Sequence, residues 1–336
     1  MKVYYVEVET PGNAVLKHQE FDPASLKPDE VLLKSDFSAV SAGTERAWLL
    51  GLPNTGQSFP YHPGYSAAGT VVAAGDAVEN LKIGDRVLIT WGGHRSCTVK
   101  KANTVFKIED DSIDLLDAAF THIASFAFLG VRKLRLELGE SAMIAGQGIL
   151  GVFALQIARL SGAIPLFACD LDPKRRELAE KLGADRTFSP DAPDFVAQVL
   201  EATGGRGVNG VVEVTGVAAA LQQALEYVAW MGRISLLGCT RVSDAPIDFY
   251  KYVHRRGVTL IGAHTMTRPT EESRPGMWTE FDDYRTFLKL VAAGRLQVRP
   301  VISEVVSPEK AHEVYECIAK TKNPPLGIAF DWRNLQ

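Results

Sequence analysis

Three glycines in the run Gly146-Gln147-Gly148-Ile149-Leu150-Gly151 have the spacing needed to hold a pyrophosphate. The run follows the apolar stretch Ala142-Met143-Ile144-Ala145 and opens a helical pattern through Val152, Leu155, Ile157 and Ala158. Each glycine serves separately: one for the tight turn, one for close approach of backbone to phosphate, one for contact of helix with strand. The first N–H groups of the helix then face the anion, so the backbone of Ile149 and Leu150 counts with the glycines. The next strand, Leu166 to Cys169, ends in Asp170, 19 residues past Gly151. A carboxylate there accepts from both ribose hydroxyls and repels a 2′-phosphate, so NAD is expected in preference to NADP. Arg175 and Arg176 stand near enough to cushion a phosphate, against which a helix pattern from Pro173 makes them surface residues. Thr215-Gly216 and Gly238 each follow a strand, where a parallel sheet places ligands; they are cofactor contacts or simply strand-end turns.

The elements that must position this loop alternate. Ala142 to Ala145, Leu166 to Asp170, Gly210 to Val214, Ile234 to Leu237 and Val258 to Ile261 read as strands. The first three are followed by helical periodicity at Leu150 to Leu160, Pro173 to Leu182 and Ala218 to Trp230. That order implies βαβ units and a parallel sheet covered on both faces. Before Leu115 the pattern differs. Short strands at Val3 to Glu9, Glu30 to Phe37, Thr70 to Ala74, Asp85 to Thr90 and Ser96 to Lys100 are separated by Pro and Gly clusters, as in an antiparallel β domain. Helices at Phe281 to Ala293 and Pro308 to Lys320 and a strand at Ile328 to Asp331 return to that first domain. The expected class is α/β, with domains at 1–117 plus 268–336 and at 118–267.

The chain has 336 residues, 46% hydrophobic, with a formal net charge of −4. No basic cluster exceeds Lys174-Arg175-Arg176, so no nucleic-acid partner is expected. The uncharged run Ser141 to Ala158 approaches membrane-span length, but its glycines and glutamines fit a strand, turn and buried helix better, so no membrane partner is expected. The first residues, MKVYYVEVETPG, lack a signal-peptide core, and the four cysteines form no CxxC, so a cytoplasmic, reducing location is expected.

Gly64 with Gly69, Gly84-Asp85-Arg86-Val87, the glycine run at Gly146, Lys174 to Asp185, Val211 to Gly216 and Gly232 to Gly238 occur in order. Together they resemble the medium-chain dehydrogenase/reductase superfamily, the zinc-type alcohol dehydrogenase-like proteins, along nearly the whole chain. The resemblance implies a GroES-like β-rich catalytic domain joined to a Rossmann domain, assembled as a homodimer or homotetramer. It also implies zinc ligands at positions that here read Ser41, then Tyr65-Ser66, then His122 or Ile123, and the hydroxyls of Ser and Tyr are poor zinc ligands. The four-cysteine structural lobe is absent too, since only Cys97 lies between Val87 and Leu115. Ser41-Ala42-Gly43-Thr44-Glu45 with Pro63-Gly64-Tyr65-Ser66 is similar to a zinc-poor branch that includes bacteriochlorophyllide dehydrogenase-like proteins and sugar- or polyol-associated oxidoreductases.

Without the metal, a side chain must take the hydroxyl proton. The residues at the vacated positions are the candidates: Ser41, Thr44, Glu45, Tyr65 and His122. Tyr65 needs a nearby positive charge to act as base, whereas His122 titrates nearest neutrality. Each has a structural alternative: Glu45 as a cap for a helix at Arg46 to Leu50, His122 as a buried hydrogen-bonded residue, and His94 as a satisfied loop histidine. A relocated metal on Glu45, His62, His94 and His122 has no supporting spacing, and no catalytic zinc is expected. The polar loop Thr265 to Trp278 reads as a substrate lid or an oligomer contact, with Arg268 and Arg274 free to bind an anion or simply solvated. The leading expectation is a zinc-independent, NAD-dependent oxidoreductase interconverting a small secondary alcohol, such as a sugar or polyol, with its ketone. An NAD(P)H-dependent enoyl or quinone reductase, or a non-catalytic NAD-binding protein, are the alternatives.

Overall fold

The computed structural model describes residues 1–56 and 58–335. The chain divides into two compact units, one of residues 1–123 with those from 286 onward, the other of residues 124–285. The first carries strands β1 (Lys2–Thr10), β2 (Asn13–Glu20) and β3 (Glu30–Val40), helix α1 (Ala42–Leu49), then β4 (Ser66–Ala74), β5 (Arg86–Thr90), β6 (Cys97–Lys101), β7 (Phe106–Lys107) and α2 (Leu115–Ala118). Helix α3 (Thr121–Leu134) leads into the second unit, which holds β8 (Ala142–Ala145), α4 (Ile149–Leu160), β9 (Leu166–Cys169), α5 (Pro173–Lys181), β10 (Arg186–Phe188), α6 (Phe195–Ala202), β11 (Val208–Glu213), α7 (Ala218–Tyr227), β12 (Val228–Leu236) and β13 (Thr259–Gly262). Helix α8 (Glu280–Ala292) returns to the first unit, followed by β14 (Ile302–Val306), α9 (Ala311–Lys320) and β15 (Gly327–Asp331).

In the first unit β1 and β2 form a hairpin, and the larger sheet runs β14-β15-β3-β4-β5-β7 with β6 also paired to β3. All pairs in that sheet are antiparallel except β14 with β15. Its core joins the chain's two ends: Val6, Val8 and Ala14 pack with Val40, Leu49, Tyr315, Ile318, Phe330 and Trp332. Each such large side chain contributes about 1.5–3 kcal/mol on burial, so the C-terminal segment is needed for this core to close.

The second unit is a six-stranded sheet of order β10-β9-β8-β11-β12-β13, parallel throughout. Every residue of β8 and of β9 is buried, as expected of strands covered on both faces. The strand order reverses direction between β8 and β11, so the loops after these strands open at a topological switch point. The fold is thus α/β, a GroES-like β domain with a Rossmann sheet.

Several local expectations shift. Helix α7 stops at Tyr227 rather than Trp230, because Val228 already pairs with Val208 and the residues up to Arg233 bulge from the strand. The hairpin strand β2, whose outer half is exposed and polar, and the short β10 and β14 carry weak apolar patterns and were not anticipated. The unit boundaries fall at 123/124 and 285/286 instead of 117/118 and 267/268. The reason is side-chain anchoring. Arg268 donates to the carbonyl and hydroxyl of Ser125 and pairs with Glu280, while Arg132 stacks on Trp278 at 3.7 Å and bonds Asp283 at 2.8 Å. Arg268 is therefore spent on ion pairs within the second unit and is not a free anion ligand. No helix among the described residues is long and apolar enough to cross a membrane.

Candidate functional site

The glycine run forms the turn from β8 into α4, and each glycine meets a different constraint. Gly146 has φ of +98°, and a Cβ there would lie 2.7 Å from Thr215 Cγ2. A Cβ on Gly151 would lie 1.9 Å from the Gly146 carbonyl oxygen, so the helix can pack on the turn only without a side chain. Gly148 is the reverse: its backbone is extended, and no described atom lies within 4 Å of where a Cβ would be. Space is kept open on one side of the loop alone. Gly148 also stands at the N-cap of α4, whose first N–H groups lack intrahelical acceptors. Ile149 is buried under the helix and Leu150 half-buried, so both enter this cradle through backbone. The arrangement fits a dinucleotide's phosphates.

Asp170 closes the loop. Its Oδ2 accepts from the Gln147 N–H at 2.7 Å and its Oδ1 from the Asp172 N–H at 2.8 Å. A carboxylate has about four acceptor sites, so Asp170 ties the turn and retains capacity for ribose hydroxyls. Arg176 is held locally: its Nη1 donates to the carbonyls of Asp170 and Leu171 and to Ser189 Oγ. Arg175 stays half-exposed on α5.

The ends of β11 and β12 wall the loop. Thr215 donates its hydroxyl to Glu213 and accepts from the Val217 N–H, so both functions of that hydroxyl are occupied and its methyl faces Gly146. Glu213 is buried and receives the N–H groups of Thr215 and Gly216; burial outweighs these bonds and pushes its carboxyl above the usual range. Gly216 and Gly238 pack backbone to backbone, since a Cβ on Gly238 would fall 2.3 Å from the Gly216 nitrogen. The Thr215 hydroxyl and the Gly216–Gly238 backbone contact thus shape the strand ends.

In the first unit Tyr65 and His122 meet Trp91 in a cluster of rings. Tyr65 lies 5.2 Å from Trp91 and 5.6 Å from His122, and Trp91 lies 5.0 Å from His122, centroid to centroid. Tyr65 and His122 are buried, whereas Trp91 is 59% exposed, so the indole is the outer member of the three. Backbone bonds set this pairing: the Trp91 N–H donates to the Tyr65 carbonyl and the His94 N–H to the Pro63 carbonyl. Trp91 adopts φ of +54°, a conformation that costs a bulky residue about 1–3 kcal/mol and persists only when surroundings hold it. Ser66 Oγ donates to the Ala119 carbonyl at 2.6 Å, which fixes the start of α3 and so the place of His122. Trp91 was not anticipated; an aromatic residue directly before Gly92-Gly93 was the available signal.

Glu45 is elsewhere in chemical terms. It lies inside α1, not before it, and its Oε1 accepts from the N–H of Ser41, the N-cap residue. Its Oε2 accepts from Tyr315 OH and faces His94 Nε2 at 3.1 Å. His94 Nδ1 lies 2.7 Å from Ser38 Oγ, which accepts from the Trp332 indole N–H. Burial disfavours the Glu45 anion, but His94 and the bonds from Tyr315 and Ser41 more than offset this and hold the carboxyl below the usual range. Ser38, His94 and Glu45 have the residue types of a hydrolytic triad, yet all are buried and Ser38 is engaged by Trp332. This network is structural. Glu45 is thereby removed from the catalytic candidates, Ser41 is buried beside it, and Thr44 is half-buried in the first turn of α1.

A zinc ion does not fit these donors. Among the described residues no three His, Cys, Asp or Glu side chains converge as a metal site. Glu45 and His94 are engaged with each other, His62 faces Glu7 at 4.0 Å, and Tyr65 and Ser66 offer only hydroxyls.

Comparison with known proteins bears on both units. Residues 27–118 match the alcohol dehydrogenase GroES-like domain, and residues 150–283 the zinc-binding dehydrogenase domain. The chain is 27% identical to L-threonine 3-dehydrogenase of Pyrococcus abyssi over 292 residues, covering 78% of this chain and 80% of that protein. It is 24% identical to sorbitol dehydrogenase of Bacillus subtilis over 344 aligned positions, covering 93% of each. A zinc-binding dehydrogenase of Sinorhizobium meliloti, solved with NADP bound, shares the fold with a TM-score of 0.83 at 23% identity, over 98% of this chain and 99% of that one.

Proposed function

Since the chain belongs to the medium-chain dehydrogenase/reductase superfamily, we propose that it is a zinc-independent oxidoreductase that interconverts a small secondary alcohol and its ketone with NAD. The observation that carries this is the glycine turn: closed at Gly146 and Gly151, open at Gly148, and tied to Asp170. Gly146, Gly148, Gly151 and the α4 N-terminus would hold the phosphates and Asp170 the ribose; when bound, NAD supplies the hydride acceptor. Names among the relatives favour a hydroxyl-bearing substrate, a polyol or a hydroxy amino acid.

The proton is handled by Tyr65 and His122. In this reading Tyr65 Oη would hydrogen-bond the reacting oxygen, and the His122 imidazole, whose ring lies 5.6 Å from the Tyr65 ring, would take or return the proton. Trp91 shields both rings from water. In chelator-containing buffer with NAD and a panel of polyols and secondary alcohols, Tyr65→Phe and His122→Ala are expected to lower kcat by about 10²–10⁴-fold, with NAD affinity near wild type. Unchanged turnover in both variants overturns the assignment. Preference for NADPH with an activated double bond would favour a reductase instead.

Cofactor choice rests on Asp170. Asp170→Asn keeps the side-chain volume and removes the charge, and is expected to shrink the NAD-over-NADP preference by about tenfold, or ~1.4 kcal/mol. Because Asp170 also holds the Gln147 N–H, NAD binding weakens while NADP binding improves. Titration calorimetry with each dinucleotide measures both terms. Equal losses for the two would mean that Asp170 only shapes the turn.

A further inference from the structure

We infer that the buried His94–Glu45 pair is a positioning element for Tyr65, acting through Gly64. Gly64 has φ of +93°, and a Cβ there would fall 2.6 Å from His94 Cγ and Cδ2 and 2.7 Å from the His94 nitrogen. The imidazole is therefore the surface on which the residue before Tyr65 rests. Its own orientation is fixed at both nitrogens, Nε2 against Glu45 at 3.1 Å and Nδ1 against Ser38 at 2.7 Å, with Trp332 and Tyr315 completing the chain of bonds. The same ring meets Phe330 edge-on at 5.0 Å, so it has no open side toward which to tilt.

Two backbone bonds carry the position outward. His94 N–H to Pro63 O at 2.7 Å and Trp91 N–H to Tyr65 O at 3.0 Å bind the segment 63–65 to the segment 91–94. A shift of the His94 ring thus moves Gly64, Tyr65 and Trp91 together, while His122 follows only indirectly, through the Ser66–Ala119 bond and the start of α3. The spacing between the Tyr65 and His122 rings is set by a buried hydrogen-bonded pair that belongs to neither ring. Nothing in this scheme brings His94 or Glu45 to substrate.

The test is His94→Gln, whose amide can still donate to Glu45 but presents no ring to Gly64. His122 lies edge-on to both Tyr65 and Trp91, at 77° and 78°, so its imidazole protons report the placement of those rings through their ring currents. The His122 signals are assigned by their disappearance in His122→Asn. In His94→Gln the His122 proton resonances are expected to move while those of His18 and His312 stay in place, and thermal stability to fall little. Ser38→Ala, which frees Nδ1 and the Trp332 indole N–H but leaves the ring against Gly64, is expected to give a smaller shift in the same direction and serves if His94→Gln does not fold. Unmoved His122 signals in a folded variant overturn the inference.

A kinetic arm rests on the proposed role of Tyr65. With a turned-over alcohol, kcat for His94→Gln is expected to fall about tenfold or more, since misplacement by an ångström is enough, with NAD affinity unchanged. A moved His122 signal with no turnover by wild type would leave the positioning inference standing and remove the oxidoreductase reading. A kcat that falls only in proportion to folded protein would mean the pair is a stability element and nothing more.

Discussion

Gly148→Ala is expected to leave the fold intact and weaken NAD binding by at least about tenfold, roughly 1.4 kcal/mol. Its backbone, φ −70° and ψ −175°, is one that alanine adopts freely, and a methyl group there meets no described atom within 4 Å. The melting temperature should therefore match wild type. The only thing the methyl displaces is whatever approaches the open side of the loop. Gly151→Ala is the contrasting variant: its Cβ would sit 1.9 Å from the Gly146 carbonyl oxygen, so helix α4 must move away from the turn. Overpacking of this kind costs about 1–3 kcal/mol, and NAD binding should be lost along with the stability. Titration calorimetry and a thermal melt on the same two proteins separate the effects. If Gly148→Ala bound NAD as wild type does, no dinucleotide would approach that face and the proposed cofactor site would be wrong.

Removal of Glu45 should produce the largest loss of stability. Glu45→Ala strands the Ser41 N–H, the Tyr315 hydroxyl and the His94 Nε2 in a buried space, and breaking such a network costs about 3–5 kcal/mol. Against a typical total of about 5–15 kcal/mol, that is a large share. Tyr315→Phe removes one donor of three and should cost about 1 kcal/mol. The pH dependence has a definite sign. Glu45's folded pKa lies below its unfolded value, so the stabilisation is fully present above the unfolded carboxylate pKa, about 4.3, and is lost as pH falls through the folded value. The stability gap between wild type and Glu45→Ala should therefore be constant near neutrality and close only in acid, as followed by urea unfolding at a series of pH values. A Glu45→Ala protein that keeps its stability and loses turnover would return Glu45 to the catalytic candidates.

The two sites differ in how far a linear reading could reach. The glycine turn is a run of six residues plus Asp170 at the end of the adjacent strand, and Gly146 and Gly151 face Thr215 and the turn itself while Gly148 faces open space. Local spacing therefore specifies its geometry. The ring cluster has no such locality. Tyr65, Trp91 and His122 come from three separate segments, and Trp91 is recognisable only because the Tyr65 carbonyl receives its N–H. Glu45 shows the opposite failure. Its position after Ser41-Ala42-Gly43-Thr44 suggested chemistry, but its oxygens are taken by residues up to 270 positions away. Arg268, likewise, looked free until Ser125, Glu280 and Asp283 were found around it.

Hydrophobic periodicity and turn residues by themselves determined the α/β class, the parallel sheet and the dinucleotide loop, because strand, turn and helix signals are written within a few residues of one another. That Ser41 and Tyr65-Ser66 offer only hydroxyls was equally legible, being a matter of residue type. Only the tertiary structure decided which polar residues are consumed in holding the fold and which stand beside the rings, since that depends on partners brought together by the sheet. The pairing of Trp332 with Ser38 spans 294 residues. No periodicity connects such positions; they meet because β15 lies against β3, and that register is fixed by burial of both strands in one core.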